Sequence, residues 1–355
     1  MGGRLDPAVA RARAAVRAAL SGVRVESPDR LLLVGVSGGA DSLALAAATA
    51  FVAARDNWRW GAVTVDHALQ NGSAGVASAA AEQAARLGAD PALTVRVQVT
   101  AAGAQGPEAA ARHARYQALS EHARKLGAAA VLVGHTRDDQ AESALLGLAR
   151  GSGARSLAGM APMVEQHQTA GGGGPACLLL RPLLHLTRAD THAICVALGL
   201  TPWIDPHNSD RAYLRNRVRL DLLPLLEREL GPGVGEALAR TTDMLRDDAD
   251  LLDTLAVDSF RRVRVRTADP QSGERKVVLH VAPLAAEHAA VRRRVLRLAA
   301  LAAGAPATDL THGHVQAIDR LITGWHGQRG LDLPGRVRAR RVGDELQFTD
   351  GGVTP

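Results

Sequence analysis

Apolar and polar positions alternate along the first half of the chain in two rhythms. Residues 31–36 (LLLVGV) form a continuous apolar run, the pattern of a strand buried on both faces. Runs at 61–65 (GAVTV), 93–99 (LTVRVQV) and 129–133 (AAVLV) also have strand character. Between and after them the period lengthens to that of helices, at about 42–54, 74–87, 108–126 and 138–149, and another helical pattern covers 6–22. Strand and helix in alternation predict an α/β fold, a parallel sheet covered by helices on both faces. Ligands of such sheets bind beyond the carboxyl ends of the strands.

A fifth strand is expected at 178–180 and a helix at 188–198. Residues 150–175 read as a loop and plausible mobile lid, with GGGG at 171–174 as a flexible insertion, and 201–216 as an ordered polar loop. From about 217 the pattern turns helical through an acidic stretch at 236–259, and 331–349 resembles short strands. Gly231-Pro232-Gly233 punctuates the change. The expected organisation is a parallel-sheet domain at 1–225 and a mainly helical second domain at 226–355, consistent with about 150 residues per domain.

Composition narrows the function classes. With 46% apolar and 22% charged residues the 355-residue chain is globular. No apolar run approaches the ~18 residues of a membrane span, so no membrane association is expected. Arg11, Arg13 and Arg17 break up the Ala-rich N-terminal stretch, which therefore lacks the form of a signal peptide. Two cysteines, Cys177 and Cys195, exclude a disulfide scaffold or a Cys-rich zinc site, and a cytoplasmic location is expected. Residues 1–220 carry 23 basic and 17 acidic side chains, whereas 221–355 carry 19 of each. The excess of +6 thus sits in the N-terminal part, where it suits a polyanion.

The candidate chemistry falls at the strand ends. After the first strand comes Ser37-Gly38-Gly39-Ala40-Asp41-Ser42. Two glycines let the backbone approach an anion, and the following helix N-terminus offers free N–H groups. Asp41 would repel a bare phosphate and makes sense with a bridging Mg2+. The sequence is neither G-x-x-x-x-G-K-[ST] nor G-x-G-x-x-G. The second strand ends in Asp66-His67, facing the same cleft unless Asp66 merely caps a turn. The fourth runs into Gly134-His135-Thr136-Arg137-Asp138-Asp139-Gln140-Ala141-Glu142. There Asp138, Asp139 and Glu142 share a helix face near its N-terminus, able to hold Mg2+ or an amino group, although the helix dipole alone favours acids there. Arg115, in Arg115-Tyr116-Gln117-Ala118-Leu119, lies on the preceding helix. Asp205-Pro206-His207-Asn208 and Arg215-Asn216-Arg217-Val218-Arg219 form a last polar block, whose basic run suits either nucleic-acid phosphates or a solvated helix face.

The hexapeptide resembles the pyrophosphate loop of the N-type ATP pyrophosphatases, whose adenine nucleotide alpha hydrolase-like domain transfers AMP to an oxygen of the substrate. Together with G-H-T-R-D-D-Q-A-E, R-G-S-G at 150–153, R-P-L-L at 181–184 and D-P-H-N…R-N-R-V-R, it resembles the tRNA(Ile)-lysidine synthetase branch over about 30–224. Two positions depart from that pattern, Gln70 where Arg is frequent and His207 where Thr or Ser is usual. Longer members carry a third domain, and this chain is expected to be a short form.

The resemblance implies a ligase for the wobble cytidine of the CAU-anticodon isoleucine tRNA. Cytosine O2 would attack the α-phosphate of ATP, and the amino group of free L-lysine would then displace AMP, shifting codon reading from AUG to AUA. It implies ATP held by Ser37, Gly38, Gly39, Ala40, Asp41 and Ser42, and Mg2+ by Asp41 and Asp138. Asp41, Arg115, His135, Asp139 and Glu142 would be catalytic. His135 and Arg115 would stabilise phosphate charge or handle protons. Asp66, His67, Asp138, Asn208 and Arg219 would bind lysine or cytidine. Basic clusters at 261–266, 292–294 and 336–341 would grip tRNA phosphates, and a homodimer is left open. A thiolase of the same superfamily would need catalytic or cluster-binding cysteines, and an amidotransferase a glutaminase nucleophile. A non-catalytic RNA binder would gain nothing from three carboxylates in its cleft.

Overall fold

The computed structural model describes residues 5–24, 30–68, 72–98, 107–151, 153–166, 177–265 and 276–350. Leu69, Gln70, Ser152, Arg266 and the glycines 171–174 lie outside them. The chain divides into two compact units, Met1–Leu245 and Arg246–Pro355. The division falls inside a long helix rather than at the Gly231-Pro232-Gly233 punctuation.

The first unit alternates as its hydrophobic rhythm predicts. Its order is α1 (Pro7–Leu20), β1 (Leu31–Gly35), α2 (Ala40–Arg55), β2 (Arg59–Asp66), α3 (Ser73–Arg86), β3 (Ala92–Arg96), α4 (Pro107–Lys125), β4 (Ala130–Val133) and α5 (Arg137–Ala149). Next come α6 (Ala154–Leu157), β5 (Met163–Gln166), β6 (Cys177–Leu180) and α7 (Arg188–Ala197). The sheet runs β3-β2-β1-β4-β6-β5, parallel except for the antiparallel pair of β5 with β6. Because side chains alternate across a strand, β1 serves two cores. Leu32 and Val34 pack with α1, α2, α3 and α7, whereas Leu31 and Leu33 pack with Leu119 and Ala123 of α4 on the other face. Each fully buried leucine contributes about 1.5–3 kcal/mol by leaving water.

This strand order fixes the site. The chain leaves β1 in one direction through β2 and β3, then returns to place β4 on the other side of β1. At that reversal the helices leave for opposite sides, and a crevice opens beyond the strand ends. The loops after β1 and β4, 100 residues apart in sequence, become neighbours there. Gly134 shows how close they are, since a Cβ on it would lie 2.8 Å from the backbone oxygen of Asp41.

A 3-10 turn (Pro206–Ser209) and α8 (Leu214–Arg217) follow, then a π-helical turn (Val218–Leu222) running directly into α9 (Leu223–Leu230). Pro224 explains the wide turn: it has no N–H to give the carbonyl four residues back, and its ring would collide with it. The long α10 (Val234–Val263) begins beyond Gly231 and Gly233, both at positive φ, where Glu227 accepts the N–H groups of Gly233 and Gly235 at 2.6 and 2.8 Å.

The second unit contains β7 (Val277–His280), α11 (Val281–Ala285), α12 (Ala289–Ala302), α13 (His312–Thr323), β8 (Leu331–Asp332), β9 (Val337–Val342) and β10 (Glu345–Asp350). Its antiparallel sheet runs β7-β10-β9-β8 around a core that includes Leu296, Ile318, Leu346 and Phe348. Helices and sheet share this region, with β7 added to the strands expected at 331–349.

Candidate active site

The crevice is a cavity of about 710 Å3, within the ~300–1,000 Å3 of small-molecule sites. Its first wall is the loop after β1. Gly38 sits at φ +84°, a conformation that side chains disfavour, and a Cβ there would meet Ala80 at 3.2 Å. Ser42 braces the loop from inside: its hydroxyl donates to Gly39 O at 2.9 Å and accepts from the Ser37 N–H at 3.1 Å. α2 starts at Ala40 with no side-chain cap, so its first N–H groups are left to a ligand. Ser37, Gly39, Ala40, Asp41 and Ser42 all face the cavity, and Gly38 stands behind them.

Asp41 is tied to α7. It accepts a hydrogen bond from the Thr191 hydroxyl, and Arg188 Nε lies 3.9 Å away. Burial pushes its pKa up, and Asp139 adds to the rise against the pull of Thr191, Arg188 and Arg219. A carboxylate so penalised gains from a bound cation.

The second wall carries arginines. Arg115 and Arg112, one turn apart on α4, line the cavity and make no ion pair among the described residues. Burial is the main reason that the Arg115 pKa is lowered, with Arg112 and Arg215 adding to it. Asp66 lines the cavity and also caps a turn, accepting the Ala68 N–H at 2.9 Å. Burial opposes its charge, but Ala68, Ser73, Arg96 and His67 together hold its pKa down. His67 and His135 each bury an Nδ1 with no hydrogen-bond partner among the described residues, a mark of a ligand-facing group. Burial, then Arg115, lowers His67. Burial pushes His135 down to about 3, with Arg115, Arg112 and Arg181 acting in the same sense against Asp139. Burial thus favours the neutral imidazole at His135.

The acidic cluster differs most from expectation. Asp139 accepts the Thr136 N–H at 2.8 Å, closing the N-terminus of α5 as a capping box. Its other oxygen takes Arg188 at 2.6 Å and Arg215 at 3.4 Å. Glu142 is fully buried and accepts from Arg188, Arg215 and Arg219, each at 2.7 Å. Three guanidinium groups thus answer two carboxylates, and Asp139 and Glu142 stay ionised: burial opposes their charge, but these arginines outweigh it. Asp138 gives one oxygen to the Arg188 backbone N–H at 2.9 Å and does not line the cavity.

The basic run on α8 is likewise divided. Arg215 and Arg219 turn to Glu142, while Arg217 donates to the carbonyls of Arg211 and Ala212. Asn216, buried, donates to the carbonyls of His207 and Asp210 at 2.7 and 2.8 Å and fixes the loop before it. Asn208, from that loop, is exposed on the cavity wall, as is part of Arg219. Arg112, Arg188 and Thr191 are residues of this region that sequence reasoning missed, and Arg215 and Asn216 stand out in sequence only as members of the basic block. The Thr187-x-x-Asp190 capping box, which starts α7 at Arg188 just beyond β6, is the signal that marks two of them.

Two family models match the chain: a PP-loop domain over residues 12–226 and a TilS substrate binding domain over residues 279–347. The chain is 52% identical over 335 residues to the tRNA(Ile)-lysidine synthase of Thermobifida fusca, covering 94% of this chain and 95% of that one. It is 51% identical over 350 residues to that of Salinispora tropica, covering 98% of both. The enzyme of Mycobacterium bovis is 49% identical over 335 residues, with 94% of both covered. Among solved structures, the U34-tRNA thiolase NcsA from Methanococcus maripaludis aligns with a TM-score of 0.52 at 18% identity, covering 67% of this chain and 79% of that one. That likeness is one of fold.

Proposed function

The chain belongs to the tRNA(Ile)-lysidine synthase family, C–N ligases that form lysidine in tRNA, and from that premise we propose how its cavity carries out the reaction. The substrates are ATP, free L-lysine and the isoleucine tRNA with anticodon CAU. In the first step cytosine O2 of the wobble nucleotide attacks the α-phosphorus, and the bond to the β-phosphate breaks with release of pyrophosphate. In the second, an amino nitrogen of lysine attacks C2, the C2–O bond breaks, AMP leaves and the nitrogen loses a proton. The product base pairs with A instead of G, so that decoding moves from AUG to AUA.

One observation carries this reading: an uncapped helix N-terminus and two arginines that make no ion pair among the described residues line a single cavity. Ser37, Gly39, Ala40 and Ser42 would hold the departing pyrophosphate by backbone N–H and hydroxyl groups. Arg115, with Arg112 beside it, would meet the charge that grows on the phosphate oxygens. Asp41 fits a Mg2+ ion, because burial penalises its carboxylate charge and a bound cation would offset that penalty. Such an ion would spread the phosphate charge, and sites of this kind use one or two carboxylates with the phosphates themselves. Neutral His135 would orient a polar group through hydrogen bonding. The guanidinium groups of Arg188, Arg215 and Arg219, all in the cavity wall, suit the α-carboxylate of lysine.

The test is direct. Purified protein is incubated with ATP, Mg2+, labelled lysine and the CAU isoleucine tRNA transcript. Label is expected in the wobble nucleoside with stoichiometric AMP and pyrophosphate. When lysine is omitted and the ATP carries a label on its α-phosphate, that label should remain on the tRNA. AMP release without lysine incorporation would overturn the substrate assignment.

A further inference from the structure

Two rings in the cavity wall have no part in the chemistry above. His207 lies in the 3-10 turn and Tyr213 just before α8, and their ring centroids are 6.2 Å apart with 52° between planes. Both line the cavity that holds Asp41 and Arg115. His207 is exposed and Tyr213 half-buried, and the Tyr213 hydroxyl makes no hydrogen bond among the described residues. Their backbone is well fixed for a loop. Asn216 holds the carbonyls of His207 and Asp210, Asp205 accepts the His207 N–H at 2.9 Å, and Asp210 accepts the Ala212 N–H at 2.8 Å. The loop therefore presents a half-buried tyrosine ring, with an exposed histidine beside it, to the cavity. Rings left partly bare in a cavity wall gain most from a flat partner that covers their faces.

Two flat groups would enter this cavity, adenine and the target base. Val65, Val76 and Ala77 give adenine an apolar seat on the β2–α3 side, beside the phosphate loop. The ring pair belongs instead to the loop that leads into Arg215 and Arg219. We propose that His207 and Tyr213 form the stacking platform for the wobble cytosine once it has left its own stack, an inference that rests on the lysidine-forming reading above. A base must be extruded before an enzyme can act on it, and aromatic rings replace the stacking lost.

The experiment uses the full-length protein and a CAU isoleucine tRNA carrying the fluorescent analogue pyrrolocytosine at the wobble position. Wild-type protein should quench the analogue on binding. Tyr213→Leu should remove the quench and raise KM for unmodified tRNA about 5- to 100-fold, the range for loss of one base–aromatic stack, with ATP affinity within twofold of wild type. Tyr213→Phe should keep both the quench and the KM. His207→Ala should shift both in the same direction by less, and it carries the test by itself if Tyr213→Leu fails to fold. Unchanged quench and KM in Tyr213→Leu, or in His207→Ala where that stands alone, would overturn the proposal. A loss in Tyr213→Phe equal to that in Tyr213→Leu would also overturn it, by assigning the effect to the hydroxyl. A wild-type protein that binds and quenches the analogue yet leaves the natural tRNA unmodified would refute the parent reading instead.

Discussion

Gly134 and His135, adjacent at the end of β4, act on the cavity in different ways. Gly134 works by having no side chain: a Cβ would press on the backbone of Asp41 and displace the phosphate loop. His135 works by being buried. Its folded-state pKa, about 3, lies well below the ordinary 6.5. The unfolded chain therefore takes up this proton first as pH falls, and stability present above about pH 6.5 drains away between there and pH 3. His135→Asn should flatten that part of the profile, so its melting temperature should fall less than wild type between pH 7 and 5. Parallel pH-dependent melts of the two proteins would reveal a missing difference. Asp41, Arg115 and His135 were legible because strand ends and the turns between them are written locally in sequence. Arg188 and Thr191 were not, because their meeting with Asp41 depends on β6 and α7 reaching the crevice from 150 residues away.

Among elements, the strands and helices around β1 follow the hydrophobic rhythm closely, with ends displaced by up to three residues. β5 escaped because it is a four-residue antiparallel edge strand beside a glycine run and has no two-sided apolar pattern. The segment from 205 to 219 was legible as ordered but not in its logic. Its R-N-R-V-R run reads as a basic face, whereas helical geometry sends Arg215 and Arg219 to the same acid and turns Asn216 inward. Asn216→Ala would leave two carbonyls of the loop without their donor. A loss of about 1–3 kcal/mol is expected, with KM for tRNA rising more than KM for ATP. Denaturant melts and paired kinetics would contradict this if stability were unchanged or if the ATP term moved first.

At the level of the whole molecule, each unit has its own buried core, and the arginine clusters of the second unit are largely spoken for. Arg292 and Arg293 share the buried Asp319, at 2.6 and 2.9 Å, and Arg294 reaches Asp253 at 2.8 Å. Arg338 meets Asp332 at 3.1 Å, and Arg341 donates to backbone carbonyls while lying over Trp325. Net charge and arginine count in sequence could not reveal this, because ion pairing is a property of the folded surface. A chain of residues 1–245 is expected to bind ATP as the full protein does and to lose at least tenfold in tRNA affinity. Loss of both, by calorimetry and filter binding, would mean that the first unit does not stand alone. The wide turn at Val218–Leu222 bears on chain length as well. A helix with one residue added keeps its bonding by opening a single turn. Measured along the chain, one spare residue thus lies between Arg219 and α10. Because the wide turn absorbs that residue, removing it together with the block set by Pro224 would close the turn while leaving both arginines on Glu142. The connection from cavity to scaffold can therefore change length by a whole residue without altering the charges that line the cavity.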